Sequence, residues 1–171
     1  MAERAATTRD SVVDFAADHG WSEIWPRVMQ ARAALLAELV DVSEALASRP
    51  PSGGEGEDAW NMTQVTQHVL TYTRNVVSII ESTARGEQVV KDPPGAIHDV
   101  GMTSWRGLID VVVEASADLA VLYRRLPAEP DLETTVAHPV FGPFNCREWF
   151  LFLSVHDEAH HRQIISLKSR P

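Results

Sequence analysis

The chain has 171 residues, a formal net charge of −9 and a single cysteine, Cys146. This length suits one domain, which buries roughly 70% of the surface that its unfolded chain exposes. The acidic residues are spread along the chain, which argues against nucleic acid and against an anionic membrane surface as partners. One cysteine cannot form an internal disulfide and no leader segment is recognisable, so we expect a reduced, soluble, cytoplasmic protein.

Apolar residues recur at steps of three and four over long segments, which is typical of amphipathic helices. The pattern predicts an all-α fold, an antiparallel four-helix bundle, in a single domain over residues 1–171. Residues 1–21 form an N-terminal extension with a short helix. That helix is expected to start near Thr7 or Thr8 and to end before Gly20.

The first two bundle helices have recognisable ends. The first is predicted over residues 25–48, with Pro26 in the first turn, where its missing N–H matters least. The second opens with a capping box between Asn61 and Gln64 and stops at Gly86.

The other two bundle helices follow longer loops. The third is predicted from near Thr103 to Pro127. The last begins after Asn145, which has the capping-box spacing to Glu148, and continues to the carboxyl end of the chain.

Two histidines lie four residues apart in the last helix. His156 and His160 differ by about 40° in azimuth and about 6 Å in height, so both imidazoles can converge on one point. His161 lies about 100° from His160 and is predicted to point to a flank. The stripe that carries the pair must face the core, since it is rich in large apolar residues: Trp149, Phe152, His156, His160, Gln163 and Leu167.

A third histidine, His68, is predicted to face the interior from the second bundle helix. It shares its face with apolar and aromatic residues: Val65, Tyr72, Val76 and Ile79. Taken alone, the pair in the last helix is better explained by hydrogen bonds to core carbonyls or carboxylates. With His68, three imidazoles from two helices make an N₃ set with a free fourth position, the arrangement of a catalytic zinc site.

The last helix comes close to a zinc-protease motif but departs from it. In HExxH a glutamate directly follows the first histidine, whereas Asp157 stands there in this chain and Glu158 comes one residue later. A peptidase is therefore disfavoured.

The segment "WNMTQVTQHVL" resembles the second helix of the DinB/YfiT-like superfamily, and "HPVFGPFNCREWFLFLSVHDEAHHRQI" resembles the loop and last helix of that family. The resemblance extends from about Trp25 onward. It implies an up-down-down-up bundle and a divalent metal, often zinc or nickel, bound by His68, His156 and His160. It also implies a possible homodimer and a transferase or isomerase that uses a thiol such as bacillithiol or mycothiol.

Several side chains are candidates for chemistry around a bound cation, which lowers the pKa of a coordinated water or thiol. Tyr72, one turn after His68, and Gln163 are the catalytic candidates, although Gln163 is equally explained as the end of the buried stripe. Trp60, Trp149 and Phe152 are placed to line a pocket for a small-molecule substrate, but aromatic residues at helical spacing are more often plain core.

Other polar residues are assigned bland roles. Asp157 and Glu158 lie off the ligand face and are expected in solvent, although either can hydrogen-bond a ligand imidazole. The three histidines outside the long helices are expected to be exposed: His19, His98 and His138. Cys146 begins a helix, where the dipole can lower its pKa, but it is assigned to packing.

Three functions are compatible with these residues. The first is a metal-dependent enzyme that activates a small thiol, for which mycothiol is preferred because nearly all basic residues are arginine, an association with GC-rich genomes. The second is a non-catalytic protein that binds a metal or a small ligand under stress, and a metal-dependent hydrolase is a variant of the first. The third is a structural bundle without metal.

Overall fold

The computed structural model describes residues 2–50, 53, 55–89 and 104–169. Within these ranges the chain is mainly helical, with one small hairpin. The helices are α1 (Ala2–Asp18), α2 (Trp21–Leu39), α3 (Glu44–Ala47), α4 (Met62–Thr83), α5 (Trp105–Ala120) and α6 (Cys146–Ser169). Two 3₁₀ turns (Gly56–Ala59 and Leu122–Arg125) and two strands, β1 (Val136–His138) and β2 (Gly142–Phe144), complete the described part. His98 and Thr103 lie outside it.

Two predictions about the amino-terminal half are wrong. Helix α1 begins at Ala2, earlier than the predicted start near Thr7 or Thr8; Val12 and Ala16 are its residues buried in the core. The helix predicted over residues 25–48 instead begins at Trp21 and ends at Leu39. The chain then turns, and α3 starts after Ser43, whose hydroxyl accepts the Leu46 N–H at 3.2 Å.

The predicted capping boxes are confirmed. Asn61 Oδ1 accepts the Gln64 N–H and Gln64 Oε1 accepts the Asn61 N–H, both at 2.9 Å. Asn145 and Glu148 make the same exchange at the start of α6, at 3.0 and 2.8 Å. Past the end of α4, Gly86 has a φ of +72° and a Cβ there would lie 2.8 Å from the Asp131 carboxylate, which favours glycine at this position.

The helix α5 is shorter than predicted and the hairpin was not predicted. Ser104 caps α5 through the Gly107 N–H at 3.1 Å, and α5 ends at Ala120, where the chain tightens into a 3₁₀ turn. The strands are only three residues each, too short for an alternating pattern to be recognised.

Four helices form the bundle, and contacts at their ends give its direction. Where α2 and α6 begin, Arg147 donates to the His19 carbonyl at 3.4 Å. Where both helices end, Lys168 lies 2.7 Å from Glu38. These two helices therefore run parallel. Helix α4 runs against α6, since Gln163 near the end of α6 donates to the Glu57 carbonyl just before α4. The ends of α4 and α5 meet.

Just past the end of α5, Arg125 makes a 2.7 Å ion pair with Glu81, which lies near the end of α4. Helix α5 is therefore parallel to α4. The order is therefore up-down-down-up, as expected. Helix α1 packs on α6 outside the four-helix bundle. No helix in the described ranges is long and apolar enough to cross a membrane.

The core consists of two apolar clusters with a polar layer between them. One cluster lies at the hairpin end and includes Val28, Ile79 and Trp149. The other lies at the opposite end and includes Leu39 and Ile164. The buried polar residues between them come from all four bundle helices: Arg32, His68, Thr73, Ser116, Asp157 and His160.

Candidate metal centre

Three histidines meet in the polar layer. His68 on α4 faces His156 and His160 on α6, and one ring nitrogen from each lies within 4.8 Å of the others. The Nε2 atoms of His68 and His156 are 3.0 Å apart. All three rings are nearly enclosed: His68 and His160 are 3% and 4% exposed, and the His156 side chain is 9% exposed.

The neighbours of these rings decide which nitrogen is free. His160 Nδ1 donates to Gln163 Oε1 at 2.8 Å, which leaves the Nε2 lone pair of His160 for another partner. The Nδ1 atoms of His68 and His156 are buried without a hydrogen bond in the described structure. Asp157 Oδ1 lies 3.7 Å from His156 Nδ1.

Burial keeps the imidazoles of His68 and His156 neutral. Burial, reinforced by His156 and His160, lowers the pKa of His68 to about 3. Burial lowers the pKa of His156 to about 4, against the opposing effect of Asp157. Neutral imidazole is the form that coordinates metals.

The donor set fits a divalent cation. The ring nitrogens that converge at the centre of the cluster are neutral imidazole donors, which can share one cation as ligands. Zinc and nickel both accept imidazole ligands. The structure therefore brings together His68, His156 and His160 as a cluster compatible with a metal site.

The pocket candidate Trp60 and the catalytic candidate Tyr72 lie against this cluster. The Trp60 ring centroid is 5.0 Å from that of His68. Tyr72 stacks on His156 at 3.8 Å, with the two rings 7° from parallel. Among the described residues the buried Tyr72 hydroxyl has no hydrogen-bond partner, and burial together with the Asp157 charge raises its pKa. Tyr72 thus presents a protonated hydroxyl close to the histidines.

The other two pocket candidates pack against the hairpin. The Phe152 ring lies 5.0 Å from His138, and Trp149 donates its indole N–H to the Val136 carbonyl at 3.1 Å. His138 was expected to be exposed but is half-buried, and burial lowers its pKa to about 4. His19 is also half-buried, stacked on Phe15 at 3.8 Å.

The environments of three further residues follow the predictions. His161 lies on a flank, 3.9 Å from Glu38, as predicted. Glu158 is exposed, also as predicted. Cys146 is fully buried, which raises its pKa to about 11, so the helix dipole does not make it a reactive thiol.

The prediction that Asp157 is solvated is wrong. Its side chain is fully buried, and both oxygens accept hydrogen bonds from Arg32, at 2.7 and 3.0 Å. Arg32 was not among the predicted functional residues, although the sequence contains a signal for it. Arg32 lies on the apolar stripe of α2 between Val28 and Leu35, and a charged residue in such a stripe requires a buried partner.

A cavity of about 360 Å³ reaches the cluster from the side of α6. His160 and Gln163 form part of its wall, together with Glu57, Asp58 and Arg162. Its volume is at the low end of the range for small-molecule pockets, about 300–1,000 Å³. A small ligand can therefore lie beside one of the three histidines.

The chain belongs to the DinB superfamily, whose sequence pattern it matches over residues 27–164. Its fold is similar to the crystal structure of TT2238, a four-helix bundle protein, with a TM-score of 0.60 and 24% sequence identity. That match covers 89% of this chain and 100% of TT2238, and at this identity it shows the fold alone. A comparison with curated proteins found no match.

Proposed function

We propose that this protein binds one divalent cation, zinc or nickel, through His68, His156 and His160. The observation that carries the proposal is the convergence of three buried imidazole nitrogens within 4.8 Å. Membership of the DinB superfamily supports it.

Metal analysis of protein purified without a histidine tag tests this proposal. We expect close to one equivalent of zinc or nickel per chain, and zinc added to the metal-free protein should bind at a single site. Metal at no more than trace level, with no binding of added zinc or nickel, would overturn it.

We propose further that the metal-loaded protein is an enzyme that joins a low-molecular-weight thiol to a small electrophile, or isomerises a substrate with such a thiol. A divalent cation with three imidazole ligands and a free position lowers the pKa of a thiol or water that it binds. The resemblance to thiol-dependent members of the family supports this choice, and the arginine-rich composition favours mycothiol.

Two features of the chain are suited to this chemistry. The Tyr72 ring stacks on His156, and its hydroxyl is protonated and has no hydrogen bond in the described structure. The hydroxyl can therefore donate a hydrogen bond to an oxygen of the substrate. Gln163 fixes the His160 ring and forms part of the adjacent cavity wall, so it can orient a bound ligand.

An assay of the metal-loaded protein with electrophiles and a panel of thiols tests the enzymatic proposal. Mycothiol, bacillithiol and glutathione should be compared, with turnover expected for one of them and lost in His68→Ala. Absence of thiol-dependent turnover in every combination would overturn it, while turnover with water alone would favour a hydrolase.

The enclosure of the site favours a second candidate, a protein that stores or senses a metal without turnover. His68 and His160 are only 3% and 4% exposed, which leaves little room for a substrate at the cation. This candidate predicts tight zinc binding that small thiols do not change. A cytoplasmic location and a homodimer are proposals as well, resting on the lone cysteine and on the family resemblance.

A further inference from the structure

A buried ion pair in the polar layer lies next to His156, one of the three histidines of the cluster. Arg32 and Asp157 have side chains that are 3% and 0% exposed, and the guanidinium binds both carboxylate oxygens. Arg32 also donates to Thr73 Oγ1 at 2.8 Å and approaches Ser116 Oγ at 3.4 Å. Each of the four bundle helices thus supplies one member of this network.

Stability alone is a poor explanation for such a pair. Removing two charges from water costs several kcal/mol per ion, and well-packed apolar residues in their place are often neutral or stabilising, by about 1–4 kcal/mol. The hydroxyls of Thr73 and Ser116 do not need Arg32, because each donates at 2.7 Å to a carbonyl of its own helix. The pair therefore calls for a role beyond packing.

The Asp157 carboxylate also approaches one of the three histidines. Asp157 Oδ1 lies 3.7 Å from His156 Nδ1, slightly beyond hydrogen-bond length. That nitrogen has no other partner in the described structure, and it is fully buried. Asp157 is therefore the candidate acceptor for a proton on His156 Nδ1.

A carboxylate beside Nδ1 favours the tautomer with its proton on Nδ1, which leaves the Nε2 lone pair facing His68 and His160. His160 shows the same arrangement with a different partner, because Gln163 accepts its Nδ1–H. Each of the two α6 histidines is then held at its Nδ1 atom, with Nε2 toward the centre of the cluster.

We propose that Arg32 and Asp157 are positioning residues for His156: Asp157 accepts the His156 Nδ1–H, and Arg32 holds the carboxylate in the orientation that this requires. The inference rests on the proposed metal site and adds the residues that set its geometry. In the metal-free protein it also assigns the 3.0 Å contact as a hydrogen bond from His68 Nε2–H to the His156 Nε2 lone pair.

The test replaces the whole pair, because removing one partner alone leaves a buried charge and can unfold the protein. The double variant Arg32→Met/Asp157→Leu is expected to fold. The matched control is Glu158→Gln, which removes the adjacent exposed carboxylate. Two quantities are measured: zinc affinity by competition with a chelator, and the tautomer of His156 by ¹⁵N NMR of the metal-free protein.

In the wild type and in Glu158→Gln we expect His156 protonated on Nδ1 and equal zinc affinity. In the double variant we expect zinc affinity to fall about 10- to 100-fold and the proton to move to Nε2. If either quantity stays at its wild-type value, the positioning role is overturned. If the wild type itself binds no zinc, the proposed metal site and this inference both fail. If the wild type binds zinc and the double variant binds it as tightly, only this inference fails.

Discussion

At the scale of single residues, each histidine of the cluster has a different environment. His160 is hydrogen-bonded to Gln163, His156 is stacked on Tyr72, and His68 has a buried Nδ1 without a hydrogen bond in the described structure. His161, one residue from His160, points instead to Glu38 on the flank. Adjacent histidines on one helix therefore have separate roles.

Alanine substitutions at the four positions should separate these roles. His68→Ala, His156→Ala and His160→Ala are each expected to weaken zinc binding by more than about 100-fold, the upper value for the loss of a residue that only supports a ligand. His161→Ala should retain wild-type affinity, as measured by chelator competition. Equal affinity of His68→Ala and His161→Ala would contradict the ligand assignment.

The buried Tyr72 hydroxyl is expected to lower the free energy of unfolding. An unpaired buried hydroxyl costs about 1–3 kcal/mol, so Tyr72→Phe should raise the free energy of unfolding of the metal-free protein by about 1 kcal/mol. Chemical denaturation measures this change. The control is Tyr123→Phe, which alters a tyrosine that is 45% exposed and should change stability by less than about 0.5 kcal/mol. A loss of stability in Tyr72→Phe would show that the hydroxyl has a partner.

At the scale of elements, the β1–β2 hairpin depends on His138. Its Nδ1 accepts the N–H groups of Val140 and Phe141 at 3.0 and 3.3 Å, which closes the turn between the strands. The ring also packs among the aromatic side chains of Phe152 and Trp149. A neutral His138 is therefore required for the turn.

Acid should open this hairpin. The pKa of His138 is lowered to about 4 in the folded state, from 6.5 for an ordinary histidine, so its contribution to stability is complete above pH 6.5 and is lost as the pH falls toward 4. We expect hydrogen-exchange protection of the Val140 and Phe141 amides to fall over this range.

The variant His138→Asn provides the comparison for the hairpin. Its side-chain oxygen can accept the same two N–H groups but does not titrate in this range. Protection in this variant should be independent of pH between 4 and 6.5. Similar acid sensitivity in both proteins would exclude His138 as the cause.

At the scale of the whole molecule, the polar layer divides the core into two apolar clusters. The layer brings buried charges and imidazoles into the middle of the bundle, where their burial opposes folding. A ligand that binds there only in the folded state should stabilise the whole domain.

Zinc should therefore raise the stability of the protein. At a free concentration of 100 times Kd, binding adds about 2.7 kcal/mol to the free energy of unfolding, which corresponds to an increase in Tm of roughly 5–10 °C for a domain of this size. Thermal unfolding with and without zinc measures the shift. His160→Ala serves as the control and should show no comparable increase.

The metal-free protein should lose stability in acid. The pKa values of His68 and His156 are lowered to about 3 and about 4 from 6.5, so the unfolded state binds more protons below pH 6.5. Tm should be highest above pH 6.5 and fall as the pH approaches 4. The variant His68→Gln/His156→Gln should show a flatter dependence, and an unchanged slope would contradict the assignment.

Much of the fold was predictable from local patterns. The capping residues Asn61 and Asn145 and the helical spacing of apolar residues are properties of adjacent positions, so they define helix starts and buried faces without knowledge of the rest of the chain. The inward direction of His68, His156 and His160 follows from the same periodicity.

Tertiary packing decided the remainder. The burial of Asp157 depends on Arg32, which lies 125 positions away in the sequence, and no local pattern relates the two. The hairpin around His138 and the break between α2 and α3 likewise depend on which surfaces are covered by other elements. The sequence by itself thus determined the helices and the faces that carry the histidines, because both arise from local backbone geometry. Only the tertiary structure decided that the three rings meet at one level, and which polar side chains accompany them, because those depend on how separate helices align.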